Sequence, residues 1–200
     1  MHYKGERNLK VSDANYKEIY NTMYAKSPIY QGKMDEATGR HLKDSIVFES
    51  VARHNPKSLV DAGCGQGYYV RKFRDFGINA YGVEVSSVCC DTYLQDVPHF
   101  NEGLDTHFSN EVNVDFLFCS DVLEHLSYSD LDSVLPKLKK ASPIALFGIA
   151  NHSDIIEGIQ LHLIREDSVW WSDKLSLHYA NVNVLGHLCN NKFFFIECSV

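Results

Sequence analysis

The sequence contains no run of about 18 consecutive apolar residues, so nothing in it reads as a membrane span. Its first residues, Met1-His2-Tyr3-Lys4-Gly5-Glu6-Arg7, lack the apolar core of a secretory leader, which sets the expectation of a soluble, cytoplasmic protein with no membrane partner. No C-x-x-C pair occurs among the six cysteines (Cys64, Cys89, Cys90, Cys119, Cys189, Cys198); several lie in apolar runs and read as reduced core thiols rather than a disulfide framework. Ten histidines are present, yet none forms H-x-x-x-H with a nearby acid, so no metal is expected. Lysine and arginine never cluster beyond Arg71-Lys72 and Lys137-Leu138-Lys139-Lys140, and the formal net charge of −7 repels polyphosphate. That disfavours nucleic acid as a partner and leaves a small molecule. No repeat, low-complexity tract or Pro/Gly/Ser linker divides the chain, so residues 1–200 read as one domain, long enough to bury about 70% of the surface its unfolded form exposes.

What is present is an alternation of patterns. Residues 1–55 read as a helical cap: Tyr16, Ile19, Tyr20, Met23 and Tyr24 share one helical face, and Leu42, Ile46, Val47 and Val51 share another, with Ser27-Pro28 and Gln31-Gly32 marking a loop between. Residues 56–200 read as an α/β core. Leu59-Val60 closes a short strand, a glycine-rich turn follows, and Tyr69, Val70, Phe73 and Phe76 recur at helical spacing before Gly77. Ala80–Val85 is a second strand, Ser86 caps a helix to about Leu94, and a weak third strand is placed near Pro98-His99-Phe100. Val114–Cys119 and Ile144–Ala150 are apolar almost throughout, as strands covered on both faces must be. Leu131, Val134, Leu135 and Leu138 outline a helix between them, with Ser129 and Asp132 as a capping box, or a start nearer Ser133 because Pro136 would otherwise fall inside. After a helical Val169-Trp170-Trp171 region, the segments 181–185 and 193–198 form an antiparallel hairpin across Asn190-Asn191. The whole is a doubly wound, Rossmann-like, mostly parallel sheet with a C-terminal antiparallel hairpin and an N-terminal helical cap.

In such sheets ligands bind beyond the carboxyl ends of the strands, where the first turn feeds a helix. Gly63, Gly65 and Gly67 occupy that turn, Asp61 precedes it, and Glu84 ends the second strand, where a carboxylate can bridge ribose hydroxyls. The dinucleotide fingerprint wants glycine or alanine where Tyr68 stands. Asp61 beside the turn also disfavours a pyrophosphate and favours a donor that carries positive charge.

Asp61-Ala62-Gly63-Cys64-Gly65-Gln66-Gly67 resembles motif I of the class I methyltransferases that use S-adenosylmethionine (SAM), in the form D-x-G-C-G-x-G. Val83-Glu84-Val85-Ser86 resembles their motif II, and Cys119–Leu126 the segment after the fourth strand, so the likeness runs from about Ser58 to Leu138. The resemblance implies that Asp61, Gly63, Cys64, Gly65 and Gly67 hold the methionine end, that Glu84 and Val85 lie at the ribose, and that Ser120 and Asp121 flank the cofactor. It implies transfer of a methyl group to an oxygen, nitrogen or carbon of a small or medium acceptor, releasing S-adenosylhomocysteine (SAH). The family's adenine-contacting carboxylate or amide has no clear counterpart, since Asp105 is out of register.

Methyl transfer needs a base only for acceptors protonated at neutral pH, and histidine suits that task. His125, one helical turn beyond Asp121, is the first candidate, and His162, in the stretch resembling the family's acceptor-binding insertion, the second. For each, the plainer reading is a packing or capping histidine. Asn151 and His152 would line the same edge. Tyr16, Tyr20, Tyr24, Tyr30, Trp170 and Trp171 read as helix-packing core or as walls of an acceptor pocket, with Tyr16, Tyr20 and Trp171 the ones to test. Two rivals stay open: a SAM-binding sensor without turnover, and an NAD(P)-dependent oxidoreductase.

Overall fold

The structure, a computed structural model, describes residues 13–32, 40–156 and 158–200. The leader reading of the first seven residues therefore lies outside the described residues. Helices α1 (Asp13–Lys26), α2 (Pro28–Gln31) and α3 (Arg40–His54) come first, so the expected loop at Ser27–Gly32 is in fact one helical turn, started by Pro28 at the position where its missing N–H costs nothing. Then come β1 (Ser58–Ala62), α4 (Tyr68–Asp75), β2 (Asn79–Val83), α5 (Ser87–Tyr93), β3 (His99–Phe100), α6 (Leu104–His107) and β4 (Phe116–Ser120). A short 3-10 turn (Leu123–His125), α7 (Tyr128–Ala141), β5 (Ile144–Ala150), a small hairpin of β6 (Ile155–Ile156) and β7 (Ile159–Gln160), α8 (Ser168–Ser176), β8 (Asn181–Leu188) and β9 (Phe193–Ser199) complete the order.

Seven strands form one sheet in the order β3-β2-β1-β4-β5-β9-β8, parallel from β3 to β5 and antiparallel at β9 and β8. Side-chain alternation in β4 shows why its sequence is apolar at nearly every position. Phe116 and Phe118 enter the cluster formed with α3 and α4, through Val47, Val51, Val70 and Phe73. Leu117 and Cys119 enter the opposite cluster with Leu131, Val134, Leu135 and Leu138 of α7. Trp171 belongs to that second core and is fully buried there, so it is no pocket wall.

Helix α7 starts earlier than its spacing suggested. Ser127, not Ser129, is the cap: its hydroxyl accepts from the Asp130 N–H and donates to the Asp130 carboxylate, while the Tyr16 hydroxyl of α1 accepts from the Ser127 N–H. Contact with another helix thus fixes the terminus, and Pro136 lies inside the helix. The C-terminal hairpin turns at Cys189, Asn190 and Asn191, all with positive φ, as the Asn-Asn pair indicated. Among the described residues no helix is long and apolar enough to cross a membrane.

Candidate functional site

The turn after β1 is held against the end of β2 by backbone bonds that a side chain would obstruct. Gly63, Gly65 and Gly67 take φ of 83°, 52° and 77°. The Gly63 and Cys64 N–H groups both donate to the Val83 carbonyl, at 2.8 and 3.0 Å. Gly65 N–H donates to Glu84 Oε2 at 3.0 Å, and Ser86 N–H to Glu84 Oε1 at 2.8 Å. Glu84 is therefore oriented by two backbone donors before any ligand arrives.

This turn opens on a cavity of about 410 Å³, within the range of small-molecule sites, at the carboxyl ends of β1, β2 and β4. Of the residues named from sequence, Gly63, Gly65, Glu84, Val85, Asp121 and His125 lie on its wall. Cys64 points away, since a Cβ built on Gly82 of β2 would lie 2.3 Å from its Sγ. Gly67 stands at the N-terminus of α4, with Leu94 2.7 Å from where its Cβ would be. Ser120 donates to Asp121 at 2.8 Å rather than facing the cavity. Asp61 is only 3% exposed and sits at the end of β1, just before the turn.

The electrostatics are those of a site built for positive charge. Burial, with Glu84 adding to it, pushes the Asp61 carboxyl up to about 8, and burial also raises Glu84 against the pull of its backbone donors. Among the described residues no basic side chain figures in either shift. Asp121 differs: burial would raise it, but Lys43 at 2.8 Å outweighs that and holds it low. Asp121 also has a φ of 58°, a backbone conformation that a non-glycine residue adopts only under surrounding constraint.

Four tyrosines line the cavity, Tyr16, Tyr20 and Tyr24 from α1 and Tyr30 from α2. Tyr24 and Tyr30 meet edge to face with centroids 5.2 Å apart, and Tyr20 meets His125 at 5.9 Å. Asn21, on the same helix, accepts from Ser86 and Ser87 hydroxyls and the Val88 N–H, tying α1 to the start of α5. Spacing grouped Tyr16, Tyr20 and Tyr24 on one face; only the packing of α1 shows that this face lines the cavity. Val83, Val85, Leu104 and Val134 give the wall its aliphatic part. Asp105 is on the wall, but its carboxylate is committed to Lys137 at 2.5 Å and Ser133 at 2.8 Å.

His125 and His162 do come together, with ring centroids 4.6 Å apart. Both are buried, and only His125 reaches the cavity wall. Burial, reinforced by His162, holds the His125 imidazole down to about 3. A group so weakly basic accepts protons poorly at pH 7, so these surroundings do not favour the general-base role its position suggested. Glu124, which sequence reasoning passed over, lies beside them fully buried, its carboxyl pushed up to about 8 by burial and by Asp121. A carboxylate adjacent to the candidate histidine was the signal that could have found it. Asn151 and His152 follow β5 as expected; the His152 carbonyl accepts from His162 Nδ1 at 2.8 Å.

A parallel sheet with this strand order, a glycine turn and an acidic ligand edge together define the class I methyltransferase architecture. Residues 31–168 match the family described as "Methyltransferase domain", and the chain belongs to that family. Similar solved structures include magnesium protoporphyrin IX methyltransferase of Synechocystis PCC 6803 with SAH bound, at 15% identity and TM-score 0.71, covering 94% of this chain and 98% of that one. Another is the 1,6-didemethyltoxoflavin N1-methyltransferase of Burkholderia thailandensis, at 11% identity and TM-score 0.68, covering 98% and 96%. A SAM-dependent methyltransferase of Archaeoglobus fulgidus aligns at 12% identity and TM-score 0.66, covering 92% and 100%. No curated protein sequence matches the chain. Family membership sets aside the NAD(P) oxidoreductase reading.

Proposed function

We propose that the protein binds SAM in this cavity and methylates an oxygen, nitrogen or carbon of a small or medium acceptor. The observation that carries the reading is the pairing of a side-chain-free turn with two buried carboxylates, Asp61 and Glu84, whose raised pKa values no cation among the described residues offsets. A ligand bearing an ammonium and a sulfonium supplies that charge, whereas a diphosphate would add to the repulsion. When bound, the cofactor contributes the methyl group and its own leaving group.

The chain's residues supply binding, alignment and exclusion of water. Gly63 and Gly65 let the backbone approach the methionine end, with Asp61 behind them as a buried carboxyl that an incoming cation draws into its charged form. Glu84 has each carboxylate oxygen steadied by one N–H, and its remaining acceptor capacity suits ribose hydroxyls. The apolar stretch of Val83, Val85, Leu104 and Val134 suits a flat heteroaromatic ring, and the tyrosine roof shields the reacting end.

Calorimetry with SAM is expected to give one site per chain, and Asp61→Ala or Glu84→Ala to weaken it about tenfold or more, roughly 1.4 kcal/mol. Unchanged affinity in both variants defeats the reading. Conversion of SAM to SAH in fractionated cell extract supports an enzyme; tight binding with no turnover in any fraction supports a sensor.

A further inference from the structure

The loop after β5 folds back onto the 3-10 turn. Leu163 and Ile164 N–H groups both donate to the Glu124 carbonyl, at 2.8 and 2.9 Å, and this docking carries His162 to Glu124 and His125. Within the cluster, each side chain has one polar atom anchored by backbone and one left over. Glu124 Oε1 accepts from the Ala150 N–H at 2.8 Å, while Oε2 is buried with no partner. His162 Nδ1 donates to the His152 carbonyl at 2.8 Å, which leaves Nε2 with its lone pair; the nearest charged atom, Asp154 Oδ2, is 3.8 Å away, too far for a hydrogen bond. His125 engages the Leu161 backbone, and its Nδ1 is buried with no partner. One donor atom from each of the three lies within 4.8 Å of the others.

We propose that Glu124, His125 and His162 bind a divalent transition-metal cation at the acceptor end of the cavity. Three arguments converge. Buried polar atoms without partners are rare and costly, so two in one cluster call for a missing partner. Two imidazoles and a carboxylate with open positions form a donor set suited to zinc, iron or cobalt rather than magnesium, which prefers oxygen. Both histidines also have a second ring nitrogen engaged by backbone, the arrangement that fixes the tautomer of metal-bound histidine. Ligand atoms about 2.1 Å from a cation stand roughly 3–4 Å apart, so the cluster closes on an ion with side-chain shifts of about an ångström. No sequence spacing rule finds such a site, because His162 reaches it through a loop rather than along one helix face.

The consequence for catalysis rests on the methyl-transfer reading. His125 is both a donor of this cluster and a wall of the cavity, so an acceptor that ligates the cation through a hydroxyl is the matching substrate class. Coordination lowers the hydroxyl pKa and its proton leaves to solvent. The oxygen's electron pair then forms the bond to the methyl carbon as the carbon–sulfur bond breaks, its pair staying on sulfur.

The test uses chelator-treated full-length protein, titrated with Zn²⁺ by calorimetry and with Co²⁺ by visible absorption. One tight site is expected, with the Co²⁺ spectrum of a low-coordinate nitrogen and oxygen site. Glu124→Gln and His162→Asn, checked for folding by circular dichroism, are expected to weaken Zn²⁺ at least tenfold while SAM affinity, measured separately, stays unchanged. Absence of Zn²⁺ and Co²⁺ binding to the wild-type protein overturns the proposal whatever the variants do, and so does undiminished affinity in both variants. Metal binding without SAM binding overturns only the cofactor reading; SAM binding without metal overturns only this one.

Discussion

At the scale of single residues, two glycines separate shape from conformation. A Cβ at Gly63 would meet Val122 at 2.3 Å in a backbone at φ 83°, whereas one at Gly77, at φ 82°, meets nothing within 4 Å. Gly77→Ala is expected to cost only the left-handed conformation, about 1 kcal/mol, and to leave SAM affinity intact. Gly63→Ala adds a steric clash at the turn and is expected to cost roughly 2–3 kcal/mol and at least tenfold in affinity, read by denaturant unfolding and calorimetry. Asp61 gives a pH signature. With its carboxyl raised to about 8 in the fold, the unfolded chain holds fewer protons from about pH 4 upward, so stability falls as pH rises through that window and levels off above it. His125, lowered from 6.5 to about 3, acts oppositely, but only below pH 6.5. Glu124, also raised to about 8, acts in the same direction, so thermal unfolding of the ligand-free protein between pH 6.5 and 8 should show a Tm that drops by a few degrees, and Asp61→Asn should shrink that drop without abolishing it. An unchanged slope in the variant would place Asp61 in an environment unlike the one described.

At the scale of elements, helix α3 is fastened to β9 through Glu197. This mostly buried carboxylate accepts from Ser50 at 2.5 Å and from Arg53 at 2.9 Å, with His54 3.2 Å away, all from one helix. Truncating it strands three polar partners, though Arg53 is half exposed and can turn to water. Glu197→Ala is expected to lower stability by about 2 kcal/mol, a Tm loss of roughly 4–8 °C in differential scanning calorimetry. Lys43, on the same helix, salt-bridges Asp121 at the ligand edge, so α3 links the far strands to the site. The capping of α7 shows the limit of local reading: Ser127 and Ser129 are equally good caps by type, and the choice falls to Ser127 because Tyr16 accepts its N–H.

At the scale of the whole molecule, the site is a seam between the sheet's carboxyl edge, a helical roof and a returning loop. Met23 of α1 is buried with Ile156 and Leu161 of the β6–β7 region, so roof and loop share one small apolar cluster apart from the two main cores. Such a satellite can loosen at less cost than the sheet. The strand succession, the glycine turn and the two carboxylates were legible along the chain, since each depends on a period of two or 3.6 residues or on a residue type needed at a fixed turn. Local chemistry therefore determined the parallel core and where a ligand edge must lie. Only the tertiary structure decided that four tyrosines line the cavity at that edge, that Cys64 turns away from it, and that His162 joins Glu124 and His125. Those meetings are made by irregular loops and helix packing, which leave no periodic mark, and by burial, which sets charge states that no sequence neighbour dictates.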